Sequence, residues 1–195
     1  MPRLDYVRKK ENSTLLLLGV SEEGESARYT VDESVYDGVG APQRGEELSD
    51  SQLREIAFAD EYYRAKKKAL SLLALADNNE RSLKMKLLRY GIRREIAERV
   101  VGEMVSLGYI DEGRQLQRFI LREANERLVG PYKIIPKLAR RGYRGEDIRR
   151  AISALVQSGE LDFNKNKSIL IEKKLGDSPD GDTLEALLYK QGYKK

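Results

Sequence analysis

The sequence predicts a mainly α-helical protein of tandem three-helix, helix-turn-helix-like repeats, preceded by a small N-terminal β-rich extension. The first observation is a repeat: residues 86–111 align without a gap on residues 137–162, and ten of the 26 positions are identical. The second is the hydrophobic spacing inside each copy, which follows the period of an α-helix and stops at a glycine. Self-similarity at a fixed period indicates an array of one supersecondary unit.

We interpret each repeat as three short helices around a small core. The third helix of the first repeat has one apolar face, formed by Ile96, Val100, Met104 and Leu107. A partial third copy begins near residue 184. We therefore expect a strand-rich acidic extension with a linker helix, two full repeats and an incomplete third repeat, at residues 1–58, 59–110, 111–161 and 162–195.

Polar residues and glycines occupy cap positions in each repeat. The segment 77–79 supplies N-cap side chains for the second helix of the first repeat, and Asp111 and Asp162 precede the opening helices of the next two. Gly91 and Gly142 follow the second helices, as expected of C-terminal glycines. Most of the repeated residues therefore specify the fold.

Proline makes one predicted helix irregular. Pro131 and Pro136 lie five residues apart in the second helix of the second repeat. An interior proline costs about 3 kcal/mol. We expect this helix to begin near Ile134 or Ile135, or to kink.

The N-terminal extension differs from the repeats in pattern and in charge. Residues 4–9, 14–20 and 28–31 look like short strands separated by polar turns. The sequence from Ser49 to Gln52 fits a capping box that begins a helix. Residues 1–60 carry 7 basic and 13 acidic residues, whereas the rest of the chain carries 29 and 19, which predicts different partners for the two parts.

Two basic clusters recur at the same place in the two repeats. Residues 81–99 and 131–150 each hold seven cations and two carboxylates. We expect the clusters to line up along the array and to bind a nucleic-acid backbone or an acidic protein groove. The candidate binding residues are Lys86, Arg89, Arg93, Arg94, Lys133, Lys137, Arg140, Arg141, Arg144, Arg149 and Arg150.

A three-helix unit of this size also fits a sequence-specific DNA reader. Base edges are read by side chains such as Asn, Gln or Ser at the exposed start of the third helix. Here residues 93–98 and 144–147 hold arginines and acids instead, which favours backbone contacts. Tyr90 and Tyr132 either stack on bases or pack in the fold, whereas core packing is favoured for Tyr109 and Tyr143, which follow helix-ending glycines.

The residues and motifs that several classes of protein require are absent from this sequence. The chain has no cysteine and no histidine, so disulfides, thiol nucleophiles and Cys or His zinc sites are excluded. No Walker glycine loop, GxGxxG or GxSxG motif is present. The longest apolar run, residues 14–20, is too short to span a bilayer. We expect a cytoplasmic, monomeric, non-enzymatic protein without cofactor, metal or membrane partner.

The motifs, in their order, resemble the RecX family of RecA regulators. The resemblance rests on SLGYIDEGR (106–114), Phe119, VGPYKIIPKLARRGY (129–143) and the repeat itself. VDESV (31–35), GEELS (45–49) and ADEYYRAKKKAL (59–70) resemble the N-terminal extension of some members. Gln115 departs from the family, which has an aromatic residue there.

The resemblance implies a non-enzymatic negative regulator. Such proteins bind the RecA filament on single-stranded DNA, inhibit its growth, ATPase and strand exchange, and restrain recombination and the SOS response. The family also binds DNA weakly, so single-stranded and double-stranded DNA are both candidate partners. The alternative is a helix-turn-helix-like protein that acts through DNA alone. The family supplies no catalytic motif, and the binding residues above come from charge and repeat position.

Overall fold

The computed structural model describes residues 1–176 and 180–194, and it confirms the mainly helical fold with a small N-terminal sheet. The chain forms two compact units. Unit 1 comprises Met1–Leu75 and Lys86–Glu103, and unit 2 comprises Ala76–Met85 and Met104–Lys195. The predicted third repeat includes residues 177–179 and 195, which lie outside the described residues. The repeat boundaries themselves stay a prediction.

Unit 1 begins with a three-stranded antiparallel sheet in the order β1-β2-β3, and its strands are β1 (Arg3–Lys9), β2 (Leu15–Glu22) and β3 (Glu25–Asp32). All three predicted strands are confirmed, with ends shifted by a few residues. Leu16, Leu18 and Val20 alternate along β2 and are buried, as expected for a sheet with one covered face. Tyr6 is paired with Gly19 across the sheet, and its ring fills the space where a Cβ at residue 19 would lie.

A long helix packs on the sheet. The sheet is followed by α1 (Glu33–Gly38) and then by α2 (Asp50–Leu75), which runs without a break for 26 residues. The predicted capping box is confirmed, because Ser49 Oγ accepts from the N–H of Gln52 at 3.3 Å and Gln52 Oε1 accepts from the N–H of Ser49 at 2.9 Å. The buried carboxylate of Asp60 accepts from the N–H of Thr30 at 2.8 Å, which ties β3 to α2.

The next two helices are α3 (Glu80–Arg89) and α4 (Arg94–Ser106). Asn79 caps α3 as predicted, since its Oδ1 accepts from the N–H of Ser82 at 2.7 Å. Ile96, Val100 and Met104 are buried. The prediction for Leu107 is wrong: this side chain is exposed, because α4 ends at Ser106 before its last turn can place it on the core face.

Unit 2 is helical throughout its described part. It contains α5 (Glu112–Leu121), a π-helical segment (Arg122–Glu126), α6 (Pro131–Arg140), α7 (Gly145–Gln157), α8 (Phe163–Leu175) and α9 (Gly181–Gln191). Asp111 and Asp162 cap α5 and α8 as predicted. One core joins α5, α6 and α7, and its buried residues are Leu116, Phe119, Ile120, Ala124, Ile134, Leu138, Ile148, Leu155 and Leu161. Among the described residues, no helix is both long and apolar enough to cross a bilayer.

The expected late start of the second helix in this repeat is wrong. Pro131 is the first residue of α6, where a proline needs no hydrogen-bond partner and its fixed φ suits the helix. Pro136 therefore lies inside α6, and its ring nitrogen cannot donate to the preceding turn. The helix persists because Ile134 and Leu138 on either side are fully buried in the core.

Two similar hydrogen-bonded junctions connect α3 with α6 and α6 with α9, the helices that follow one another at the repeat period. The side chain of Asn79, before α3, donates to the carbonyl of Arg141 at the end of α6 at 2.9 Å. Gly130, before α6, donates its N–H to the carbonyl of Gln191 at the end of α9 at 2.8 Å. Gly130 lies 51 residues after Asn79 and Gln191 lies 50 residues after Arg141, so equivalent positions meet twice. In each junction, a carbonyl at the C-terminal end of the later helix accepts a hydrogen bond from the residue that precedes the earlier helix.

The second junction explains why residue 130 is a glycine. A Cβ on Gly130 would lie 2.2 Å from the carbonyl oxygen of Gly192, in a backbone contact that cannot open without separating the helices. We expect Gly130→Ala to lower the free energy of unfolding by roughly 1–3 kcal/mol. Urea unfolding followed by circular dichroism measures the change.

Gly102, in the middle of α4, is the matched control. A Cβ there meets nothing within 4 Å. Gly102→Ala should therefore raise stability by about 0.5–1 kcal/mol, through the higher helix propensity of alanine. Equal effects of the two substitutions would show that the close approach at Gly130 does not matter.

Candidate binding surface of the basic clusters

The predicted binding residues of the first basic cluster lie in unit 1, where α3 ends and α4 begins, whereas Arg81 and Lys84 of the same cluster belong to unit 2. Lys86 and Arg89 belong to the last turns of α3, Arg93 lies in the turn, and Arg94 is the first residue of α4. Arg89, Arg93 and Arg94 are exposed, whereas Lys86 is half-buried. Arg94 approaches Glu98 at 4.0 Å, a separation at which an exposed pair contributes little.

Arg93 is held by the fold. Its N–H donates to Glu61 Oε1 at 2.7 Å, and its Nε donates to Glu61 Oε2 at 2.5 Å. Burial alone would raise the pKa of Glu61, but these two hydrogen bonds and the charges of Arg93 and Arg64 hold that pKa below its ordinary value. The sequence could not reveal this pair, because Glu61 lies 32 residues earlier, on α2.

A second ionic network supports the same corner of unit 1. Glu103 accepts hydrogen bonds from Lys66 Nζ and from Tyr62 Oη, both at 2.5 Å. These bonds lower the pKa of Glu103. Burial and the hydrogen bond to Glu103 raise the pKa of Tyr62 to about 12. Arg99 lies over the Tyr62 ring, 5.1 Å from its centroid. This basic residue therefore also contributes to packing.

The second basic cluster lies in unit 2 and follows one face of α6. Lys133, Lys137 and Arg140 are spaced by four and three residues, which places them together on one side of the helix. Ile134 and Leu138, which directly follow Lys133 and Lys137, form the buried side of the helix. Lys133 also donates to the carbonyl of Lys190 at the junction with α9. The basic face of α6 is thus fixed by the core beneath it.

Three cations lie on one aromatic ring beside this face. Arg141 Cζ is 4.2 Å, Arg122 Cζ is 5.0 Å and Lys137 Nζ is 5.6 Å from the centroid of Phe119. Phe119 itself is only 7% exposed. Sequence reasoning missed Arg122, although its position three residues after Phe119 on a helix would have placed the two side chains together.

A buried carboxylate neutralises one of these cations. Glu123, in the π-helical segment, is 1% exposed and accepts from Lys137 Nζ at 2.6 Å and from Arg127 Nη1 at 2.9 Å. Lys137 is therefore bound within the fold. Glu123 was not predicted either, and only its spacing of four residues from Arg127 hinted at a pair.

The remaining predicted cations surround the start of α7. Arg144 is the N-cap residue and makes no side-chain cap bond, while Arg149 and Arg150 follow in the first two turns. All three are exposed. Arg150 approaches Asp147 at 3.6 Å. Glu146 and Asp147 occupy the first turn of α7. Their carboxylates interact favourably with the positive end of the helix dipole and would repel a phosphate.

The division of the tyrosines into packed and exposed side chains differs from the prediction. Tyr143 is half-buried and donates to Gln115 Oε1 at 2.9 Å, which confirms a packing role. Tyr109 is 55% exposed, so the core packing expected for it is wrong: the turn after α4 directs it to the surface. Tyr90 and Tyr132 are also exposed, and Lys68 covers Tyr90, with its Nζ 3.8 Å from the ring centroid.

Gln115, at the position where the resemblance implies an aromatic residue, makes hydrogen bonds to two other parts of unit 2. Its side chain is buried, and its Nε2 donates to the carbonyl of Asn78 at 3.2 Å while its Oε1 accepts from Tyr143. The amide thus links α5 to the start of α3 and to the turn after α6. The polar contact satisfies buried groups that an aromatic side chain would leave unpaired.

These surfaces offer charge and aromatic contacts. Within the described residues, no three Asp, Glu, His or Cys side chains are grouped as metal ligands would be. Among the predicted binding residues, Arg93 and Lys137 are bound closely by carboxylates of the fold, and Arg150 and Arg94 approach carboxylates at 3.6 and 4.0 Å. Exposed guanidinium groups remain in both units, and guanidinium is the cation best suited to bidentate contacts with phosphate or carboxylate.

The lowered pKa of Glu103 predicts a pH-dependent stability. A carboxylate with a folded-state pKa below its unfolded value stabilises the fold above its ordinary value of 4.5, and the contribution is lost as the pH falls through the folded pKa. We expect Glu103→Gln to lower the free energy of unfolding by about 1–2 kcal/mol at pH 7. The difference from wild type should shrink below that ordinary value.

Urea unfolding at a series of pH values measures this difference. Glu11→Gln, an exposed turn residue, serves as the control and should show no such dependence. A constant difference between Glu103→Gln and wild type from neutral to acidic pH would contradict the assignment.

Comparison with known proteins agrees with the motifs. No protein-family model matches the chain. It is 28% identical over 120 residues to the regulatory protein RecX of Clostridioides difficile (strain 630), covering 62% of this chain and 56% of the relative. It is 23% identical over 173 residues to the regulatory protein RecX of Geobacillus thermodenitrificans (strain NG80-2), covering 88% and 61%. The chain thus spans less than two thirds of the length of these relatives.

A solved structure shares the fold. The crystal structure of a regulatory protein RecX aligns with 100% of this chain and 95% of its own, with a TM-score of 0.69 and 20% sequence identity. The fold, the repeated motifs and the names of the curated relatives point to the same family. The chain is similar in sequence to curated proteins named regulatory protein RecX and shares its fold with a solved RecX structure.

Proposed function

We propose that this protein is a non-enzymatic negative regulator of the RecA recombinase. It binds the RecA filament on single-stranded DNA and inhibits its growth, ATP hydrolysis and strand exchange. It works in the cytoplasm as a monomer and uses no cofactor. The likeness to proteins named regulatory protein RecX supports the regulatory role, and the exposed cations support the mode of binding.

The observation that carries this proposal is the basic face of α6 with the turn that follows it. Arg140, Arg141 and Arg144 are exposed and lie on or beside a helix whose other side is buried. Cations on a rigid element lose little conformational freedom when they bind. A filament of protein on DNA presents phosphates along a regular groove, which suits such a row.

Sequence-specific action through DNA alone fits the surface less well. The exposed first turn of α7, where a recognition helix would read bases, carries Glu146 and Asp147. Carboxylates there weaken contact with a DNA groove. The remaining contacts are those of a backbone binder, so we place the specificity of the protein in the filament and not in a DNA sequence.

We predict that this protein lowers ATP turnover by RecA on single-stranded DNA at concentrations too low to occupy the DNA. A coupled ATPase titration measures the effect. Substoichiometric inhibition is expected because a protein that acts on the filament does not need to cover the DNA. Unchanged turnover at saturating protein would reject the proposal.

A charge-reversed pair separates filament binding from DNA binding. Arg140→Glu with Arg141→Glu should weaken binding to free DNA strongly. If inhibition of RecA survives in this double variant, the protein acts on the filament. If inhibition is lost in proportion to DNA affinity, the protein acts through DNA. Lys173→Glu with Lys174→Glu, on α8, controls for the change in net charge.

A further inference from the structure

We propose that unit 1 binds an extended, basic segment of a partner protein at the end of its sheet where β2 turns into β3. The segment adds a fourth strand to the open edge of β3. It places an apolar side chain in a groove beside α2 and sets lysine or arginine against the glutamates of the turn. This inference goes beyond the proposed function and does not depend on it, because it concerns the acidic N-terminal part of the chain.

The outer edge of β3 is open over its first half. β3 is the last strand of the sheet and pairs with β2 on one side only. The N–H of Thr30 points away from β2, because it donates to Asp60 on α2. Backbone groups alternate along a strand, so the N–H groups of Ser26 and Arg28 point to the same side, and no hydrogen bond within the described residues engages them. Such an edge is a template for an added strand.

A groove lies on the inner face of the sheet beside this edge. Burial on that face decreases along β3, from Val31, which is fully buried, through Tyr29, which is half-buried, to Ala27, which is exposed. The core therefore stops short of the turn and leaves part of the inner face uncovered. The groove has a volume of about 680 Å³, which is typical of sites that accept a ligand, and it is lined by Pro2, Val20, Glu22, Glu23, Glu25, Ser26, Ala27, Tyr29 and Leu53.

The charge around the groove is negative. Glu22 and Glu25 face each other across the pair of β2 and β3, where like charges destabilise a sheet, and Glu23 lies in the turn between them. Glu22 approaches the N-terminal ammonium of Met1 at 3.9 Å, but both groups are exposed and such a pair contributes little. In the described part of the chain, Glu23 and Glu25 form no ion pair. A basic side chain bound here relieves the repulsion, so the partner is cationic.

The open edge, the groove and the charge together determine what the partner carries. Successive side chains of a strand point to opposite faces, so every second residue of the added strand faces the groove. An apolar side chain opposite Ala27 fills the groove, and a basic side chain two residues away lies opposite Glu25, where opposite charges on neighbouring strands stabilise the pair. The same glutamates repel a polyanion, so nucleic acid does not fit this site.

The test uses the full chain and a fluorescent seven-residue peptide that has a central valine, a lysine two residues away on each side, and threonine elsewhere. Fluorescence anisotropy measures the affinity, and amide hydrogen exchange followed by NMR reports on the edge of β3. The bound peptide should slow exchange at the Ser26 and Arg28 amides by about tenfold or more, because both N–H groups become hydrogen-bonded. The same peptide with glutamate in place of lysine should not bind, because its charges meet the glutamates of the turn.

Two pairs of variants locate the site, all at exposed positions, so their circular dichroism melts should match wild type. Ala27→Tyr should weaken binding of the lysine peptide about tenfold or more, because the ring fills the groove. Ser26→Tyr, on the opposite face of the sheet, is the matched control and should bind as wild type does. Glu25→Lys should lose the lysine peptide and bind the glutamate peptide. Glu11→Lys, in the turn between β1 and β2, should keep the wild-type preference.

The inference is wrong if the chain binds neither peptide or binds both equally. It is also wrong if exchange at Ser26 and Arg28 is unchanged in the complex, or if Ser26→Tyr weakens binding as much as Ala27→Tyr does. Sedimentation velocity tests another occupant: if the free chain self-associates and Ala27→Tyr abolishes the association, the groove holds a second copy of this chain and the inference fails. The RecA ATPase titration measures the proposed function separately, so either result stands without the other.

Discussion

Unit 2 depends on two hydrogen-bonded contacts between helix ends. The end of α6 accepts a hydrogen bond from the residue before α3, and the end of α9 accepts one from the residue before α6. Helix ends leave carbonyls and N–H groups without partners, which are costly to bury. Here the carbonyl of Arg141 accepts from the side-chain amide of Asn79, and the carbonyl of Gln191 accepts from the backbone N–H of Gly130. The repeated glycines allow the approach: Gly142 and Gly192 adopt positive φ.

This contact determines how firmly the basic face of α6 is held. The start of α6 receives the carbonyls of α9, and its end offers the carbonyl of Arg141 to Asn79. The core fixes its inner side through Ile134 and Leu138. The exposed cations thus project from a helix restrained at both ends and along one side, which lowers the conformational entropy that a ligand must remove.

The sequence predicted what depends on local chemistry. Caps at Ser49, Asn79 and Asp111, and the three strands, follow from short patterns, and the structure contains them. What failed depends on the tertiary surroundings. The pairing of Arg93 with Glu61 joins residues 32 apart, and no periodicity predicts it. The location of α6 was missed because an interior proline has a local cost that core packing outweighs.

The two basic clusters are similar in sequence, but they differ in how many of their cations are engaged in contacts within the fold. In unit 1, Arg93 is bound by Glu61 and Arg99 covers aromatic rings of α2, so part of the charge density stabilises the packing of α2. In unit 2, one carboxylate, Glu123, neutralises Lys137, and the arginines at the end of α6 remain accessible. Because the first cluster has more of its charge engaged within its own unit, a polyanion gains more from the second, and binding should be strongest where α6 ends.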